Sequence, residues 1–291
     1  MLRGRFVDDE GVYRNNYGCR HQGYHRQSEQ VQRKINLCGD DNRLIRVTAT
    51  NNSKHGISLG GSNNRLLYVT ANYNIRRGVE VYGYYNVLFH LTVKGNGEDG
   101  IVMVGNSNRV EDSYASGQHH GMVNVVCADN PRIMRKSNQE KGGNNVFRNN
   151  TVRRCGLDGL VVVGSKVTIA DNKFYSTSSF HAPSSASISA ACNDSTITGN
   201  RITGSGADGI CLSWGRNMVV ARNVIVNSAR NGIILKSASV RSVVKGNVVR
   251  KCGTAGLVIR GSGYNNIITE NKITSCRTGV KADVGANRKI A

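Results

Sequence analysis

The sequence predicts an all-β fold, a single-stranded right-handed parallel β-helix of about 10 to 11 coils with about 22 to 24 residues per coil. Three observations predict it. A glycine followed by an apolar, variable, apolar triplet returns at a nearly fixed interval. An asparagine opens a short strand in coil after coil. The composition holds 34 glycines, 2 prolines and 6% aromatic residues, which suits many short strands joined by tight turns better than a helix-and-sheet domain.

The first strand of each coil carries the glycine: GISL at 56, GVEV at 78, GIVM at 100, GMVN at 121, GLVV at 159, GICL at 209, GIIL at 232, GLVI at 256 and GVKA at 279. The intervals are 22, 22, 21, 38, 50, 23, 24 and 23 residues, read by subtraction from those positions. The long interval of 50 holds one degenerate coil, SISA at 187, and INL at 35 belongs to an earlier coil. A second strand follows after a turn, as in NRLIRV at 42, NRLLYV at 64, NVLFHL at 86, NMVVAR at 217 and NNIITE at 265. The third strand is NTV at 150, NKF at 172, NRI at 200, NVI at 223, NVV at 247 and NKI at 271. Three strands and three turns leave no room for a helix in each repeat.

Stacking such coils about 4.8 Å apart brings alternate apolar residues into inward columns. Asn150, Asn172, Asn200, Asn223, Asn247 and Asn271 then form an inward ladder of amides. Cys155, Cys252 and Cys276 each lie five residues beyond such an asparagine, where other coils have Ser205 and Ser228. They read as small residues of a turn stack, with Cys252 and Cys276 near enough to bridge. The eight cysteines show no CxxC and no ligand spacing, so no metal site is expected.

Residues 1–30 are polar and poorly periodic and read as an N-terminal cap or irregular segment, with the β-helix over 31–291. Insertions interrupt the period near 127–144 and 176–186 and are expected to form loops on one face. The first carries Arg132, Arg135, Lys136 and Lys141, a basic flap for an anionic chain. No apolar run is long enough to span a bilayer, and MLRGRFVDDEG lacks the apolar core of a secretion signal. The expectation is a chain that either has lost its leader or is not exported by that route.

Lysine and arginine number 39 against 19 acids, a formal charge of +20 that calls for an anionic partner. Nucleic acid fits the charge, but the chain offers neither a helix for a groove nor an aromatic stacking platform. An acidic polysaccharide ranks first. The residue before the repeat glycine makes one column: His55, Arg77, Asp99, His120, Asp158, Asp208 and Asn231. One position earlier stand Lys54, Arg76, Glu98, His119, Leu157, Ala207 and Arg230. Arg77 to Asp158 should span only about 15 Å. An acid on either side of His120 would raise its pKa and orient it, as around a general acid or base. Asp before Gly is also ordinary turn chemistry, so Asp158 and Asp208 have a backbone role available. The outward position of the first strand reads Ser58, Glu80, Val102, Val123, Val161, Ser189, Cys211, Ile234 and Val258. Its apolar continuation predicts a covered face, under a loop, a sugar chain or another subunit of a homo-oligomer such as a trimer.

The repeat resembles the right-handed parallel β-helix proteins of the pectate-lyase-like, carbohydrate-binding and sugar-hydrolase class over nearly the whole chain. GEDGIVMV (97–104), QHHGMVNVV (118–126) and CGLDGLVVV (155–163) are similar to central coils of the mannuronan C5-epimerase catalytic module. That resemblance places Asp99 and His120 at positions lining a shallow groove for an anionic uronate polymer, and implies an extracellular or virion-surface setting. The family's Tyr-Gly-x-Asp-Pro-His motif is answered by Tyr82, Gly83, Tyr84, Tyr85 and Asn86, without Asp-Pro-His.

The sequence reading is therefore a protein acting on or binding an acidic, uronate-containing glycan, as a C5-epimerase or polysaccharide lyase if it is an enzyme. His120, Asp99, Tyr82 and Asp158 are the catalytic candidates. Arg77, His119, Glu80, Arg132, Arg135 and Lys136 are the candidates for substrate binding. No cofactor is expected; Glu80, Glu98 and Asp99 are the group a lyase-type Ca²⁺ would use, against the neighbouring cations. The rival is a non-catalytic fibre, spike or surface protein that assembles as a homo-oligomer.

Overall fold

The computed structural model describes residues 6–7, 13–14, 25–31, 35–125, 143–180, 185–236, 239–261, 263–283 and 288–290. Among them no helix forms, and three parallel sheets run the length of the molecule. The first sheet has 11 strands, from Ile35–Cys38 to Thr278–Ala282. The second has 12, from His25–Val31 to Arg288–Ile290, and the third has 8, from Thr92–Lys94 to Lys272–Thr274. Each strand pairs in register with the corresponding strand of the coils before and after it, as Ile57 with Val79 and Val79 with Ile101. This is the β-helix that the repeat predicts. An antiparallel pair, Phe6–Val7 with Tyr13–Arg14, precedes it.

The repeat glycine has a steric cause. A Cβ on Gly56 or Gly78 would lie 2.7 Å from the carbonyl oxygen of the next coil's glycine, and one on Gly159 would lie 2.6 Å from that of Ser187. Any larger residue would push adjacent coils apart at this corner. Every coil also turns through left-handed residues at three corners, exemplified by Tyr85, His90 and Tyr73. Asparagine, aspartate and glycine crowd these corners because they tolerate that backbone region at least cost.

The core is a set of columns, among them Ile57, Val79, Ile101, Met122, Leu160 and Ile188 on the first sheet. The asparagine ladder from Asn150 to Asn271 forms as expected: Asn172 Nδ2 donates to Asn200 Oδ1 and to the Phe147 carbonyl, both at 2.9 Å. Two further ladders form. Asn42, Asn64, Asn86, Asn108 and Asn145 cap the second strands, and Asn52, Asn74 and Asn96 fill the turn between third and first strands. Cys155, Ser205, Ser228, Cys252 and Cys276 continue that last column. Cys252 and Cys276 are free, and the Cys252 amide donates to Cys276 Sγ at 3.3 Å. Cys38 is disulfide-bonded. Burial pushes the Cys155 and Cys192 thiols up to about 12, so neither is a reactive thiolate.

In the C-terminal coils the outward column of the first sheet is covered by the chain itself: Ile234 and Val258 are each 1% exposed and pack with Ala186, Cys211 and Ala255 as a second small core. Val161, earlier in the same column, is only half-buried. The basic insertion with Arg132, Arg135, Lys136 and Lys141 lies outside the described residues, as do Cys19 and Cys127.

Candidate functional site

The site stands on the edge of the first sheet where each chain enters from the third-to-first turn. Parallel register sets Asp99 beside His120, and the Gly121 amide donates to the Asp158 carbonyl, so Asp158 follows on the next coil. Ala186, from the degenerate coil, stands between Asp158 and Asp208, which puts Asp208 two coils away from Asp158.

His120 lies between two carboxylates. Its Nδ1 is 2.7 Å from Asp99 Oδ1, and its Nε2 is 3.7 Å from Asp158 Oδ2. Asp158 Oδ1 is already taken, accepting from the Ala186 amide at 2.7 Å and from Ser189 Oγ, so its other oxygen is turned to the imidazole. Burial works against the imidazolium, but the Asp99 hydrogen bond and the charges of Asp99 and Asp158 outweigh it and raise the His120 pKa above its ordinary 6.5. The short Nδ1 contact occupies one ring nitrogen. The looser Nε2 is the one left to meet a ligand.

The charges alternate on down the column. Arg77 Nε approaches Asp99 Oδ2 at 3.4 Å and Glu98 Oε2 at 3.6 Å, and Arg77 Nη1 donates to Glu80 Oε2 at 2.8 Å. Glu80 also accepts from Ser58 Oγ at 2.8 Å and sits 3.8 Å from His55 Nε2. Burial would raise the Glu80 pKa, yet bonds from Arg77 and Ser58 and the nearby positive charges hold it below the usual carboxylate value. Burial likewise opposes the Arg77 guanidinium and is outweighed by Glu80 and Asp99, so its pKa is raised. The Tyr82 hydroxyl reaches Glu80 Oε2 at 3.4 Å; burial and the Glu80 charge push its pKa up, which keeps it a phenol. Glu80, Glu98 and Asp99 all face Arg77, an arrangement occupied by a guanidinium rather than shaped for Ca²⁺. Among the described residues no group of three or more His, Cys, Asp and Glu side chains is placed to hold a metal ion.

His119 faces elsewhere. It lines a depression of about 380 Å³ with Gly95, Gly117, Arg154, Ser179 and Phe180, on the turn between third and first strands. Phe180 comes from the second insertion, which folds back so that its amide donates to the Gly156 carbonyl at 2.8 Å, and its ring meets His119 edge-on at 6.2 Å. Sequence reasoning missed Phe180 and the bond from Ser189 to Asp158. Counting SISA as a coil sets Ser189 opposite Val161, and the fold then brings its hydroxyl from one coil above onto Asp158.

Residues 138–290 match the family described as right handed beta helix region. The chain belongs to the right-handed β-helix family. Solved structures place its fold among several kinds of protein. A mannuronan C-5 epimerase A-module of Azotobacter vinelandii aligns with TM-score 0.59 at 14% identity, covering 91% of this chain and 90% of that one. An alginate lyase from Paenibacillus sp. str. FPU-7 aligns with TM-score 0.57 at 10% identity, covering 91% and 90%. A surface adhesin of Streptococcus pneumoniae aligns with TM-score 0.62 at 11% identity, covering 94% and 84%. No curated protein matches the sequence. At these identities this β-helix protein shares the architecture with all three, and its function has to be argued from its own site.

Proposed function

We propose that the chain acts on an acidic, uronate-containing polysaccharide, with His120 as the group that exchanges the C5 proton of a uronate. The observation that carries this reading is the imidazole held between Asp99 and Asp158 at the edge of the first sheet, with Nε2 in the looser of its two contacts. A uronate C5–H is acidified by its neighbouring carboxylate, and removing it needs a positioned base with a pKa near the working pH. Neutral His120 accepts that proton at Nε2, and the resulting imidazolium is stabilised by the two aspartates. The electron pair left at C5 delocalises into the carboxylate. From there a proton returned to the opposite face gives the epimer. Expulsion of the C4 oxygen gives a C4–C5 double bond, with the leaving oxygen taking up a proton. Tyr82, a phenol at neutral pH, is the proton donor in either outcome, to C5 from the opposite face or to the leaving oxygen. Arg77 acts through Asp99, since its charge is already matched by Glu80, Glu98 and Asp99. His119 and the depression beside Phe180 are the place for a neighbouring sugar ring, and the basic insertion supplies further charge for the polymer.

The likeness of the central coils to the epimerase module and the +20 charge support the same substrate class. The test is to incubate the protein in deuterated buffer with polymannuronate, pectate and glycosaminoglycans, following deuterium at C5 and the ultraviolet absorbance of the unsaturated product. Exchange or absorbance with at least one polyuronate is expected. Neither signal with any of them, together with a stable trimer in solution, would favour the structural, non-catalytic reading.

A further inference from the structure

We propose that the third sheet is a second binding surface, on which an acidic polysaccharide chain lies along the solenoid axis. Its eight strands present two outward residues each. These include Lys94, Arg153, Lys173, Arg201, Arg250 and Lys272, and no carboxylate. All six cations are exposed. None of them makes an ion pair with a carboxylate among the described residues, whereas Arg76, Arg77, Arg109, Arg230 and Lys236 all do. The nearest acids, Asp112, Asp171 and Glu270, sit in the turn entering the sheet, and Asp112 is bonded by Asn149 at 2.8 Å.

Lys94 and Arg153 each lie over a tyrosine ring, but folding gives no reason for Lys173, Arg201, Arg250 and Lys272. Lys173 stands in register with Arg201, like charges on adjacent strands, which costs stability unless an anion lies between them. From the strand of Lys94 to that of Lys272 the face runs seven strand spacings, about 34 Å. A uronan brings one carboxylate per ring, and a ring is of the same order as the coil spacing of about 4.8 Å, so its charges can meet a cation on six of the eight strands. Nucleic acid fits less well. Duplex DNA carries a charge about every 1.7 Å of its axis. The two tyrosines of the face are already covered, Tyr114 by Lys94 Nζ at 5.3 Å and Tyr175 by the Arg153 guanidinium at 4.5 Å, so their rings are not open to stack bases.

The surface also reaches the candidate site. Lys94 is five residues before Asp99 and Arg153 five before Asp158, across a single turn, and Arg154 in that turn lines the depression with His119. A polymer held on the third sheet would keep its neighbouring segments at the sheet edge where His120 stands. The choice of a uronate polymer rests on the proposed function; the existence of the surface does not.

The experiment measures binding of polymannuronate by calorimetry, with a chain long enough to span the eight coils and with a tetramer, for the wild type, a triple variant (Arg153→Gln, Lys173→Gln, Arg201→Gln), its charge-keeping counterpart (Arg153→Lys, Arg201→Lys) and His120→Ala. Three exposed charge contacts of modest worth each predict that the triple variant binds the long chain about tenfold more weakly. The lysine variant should bind like wild type, and the tetramer, which reaches fewer of the cations at once, should bind more weakly than the long chain. His120→Ala should keep long-chain affinity while losing C5 exchange, which separates a failure of the site from a failure of the surface. Undiminished long-chain affinity in the triple variant would overturn the inference. So would tighter binding of a single-stranded oligonucleotide with the same sensitivity to the three substitutions, which would make nucleic acid the occupant.

Discussion

Asp99 and Asp208 occupy the same place in the coil, one residue before the repeat glycine, yet their surroundings differ in kind. Asp208 is 1% exposed, and every acceptor it offers is used: Asn231 donates through its amide at 3.1 Å and through Nδ2 at 2.8 Å, while Arg230 and Lys236 lie at 3.0 and 3.7 Å. It stitches one coil to the next. Asp99 instead meets His120 on the next coil and Arg77 on the one before, both partly open to solvent. An Asp-Gly pair is therefore neither structural nor functional by itself. What the adjacent coil places beside it decides.

Replacing each aspartate sharpens this contrast, and the largest effect is expected at Asp208. Asp208→Ala leaves the Asn231 amide without its acceptor and removes the buried carboxylate that Arg230 and Lys236 meet, a loss of about 3 kcal/mol that denaturant unfolding would read. Asp99→Ala, at a more solvated pair, should cost about 1 kcal/mol. Equal losses at both positions would remove the distinction. Gly121→Ala is expected to destabilise by about 1–3 kcal/mol, because its Cβ would meet the Gly159 carbonyl at 2.5 Å, and it should do so without shifting any pH midpoint.

The pH dependence separates the two regions again. Burial lowers the His120 pKa, but Asp99 and Asp158 raise it by more, so C5 exchange by the neutral base should climb with pH through a midpoint above 6.5. Asp99→Asn should move that midpoint down, whereas Asp208→Asn should leave it in place; rate profiles across neutral pH check both. The stability that protonated His120 contributes follows the same group: it is fully present below the ordinary value of 6.5 and is lost as pH rises through the raised folded value. Tyr82→Phe is the mildest change, slowing product formation several-fold while exchange through His120 persists, because the phenol only donates a proton after C5 has lost its own.

The fold was legible because its period is spelled in glycine, and glycine is dictated by the carbonyl of the next coil. The column around His120 was legible for the same reason: counting back one residue from each glycine aligns Asp99, His120 and Asp158. Where a coil lacked its glycine the count slipped, and Ala186 intervened between Asp158 and Asp208. The ladders of Asn42 and Asn52 were hidden among many surface asparagines, since only stacking distinguishes an amide that faces inward. Phe180 could not be placed at all from sequence, because an insertion sets its own return path, and here that path ends over Gly156. Arg77 looked free to meet a substrate carboxylate; three carboxylates converge on it instead, two of them from the coil above.

The most direct measurement is the rate of deuterium incorporation at C5 of polymannuronate by wild type, His120→Ala and Asp208→Asn at equal folded concentration. Loss of about a hundredfold or more in His120→Ala, with Asp208→Asn close to wild type once its stability is matched, is the predicted result. Undiminished exchange in His120→Ala would contradict the account, leaving the β-helix in place and its reactive group elsewhere.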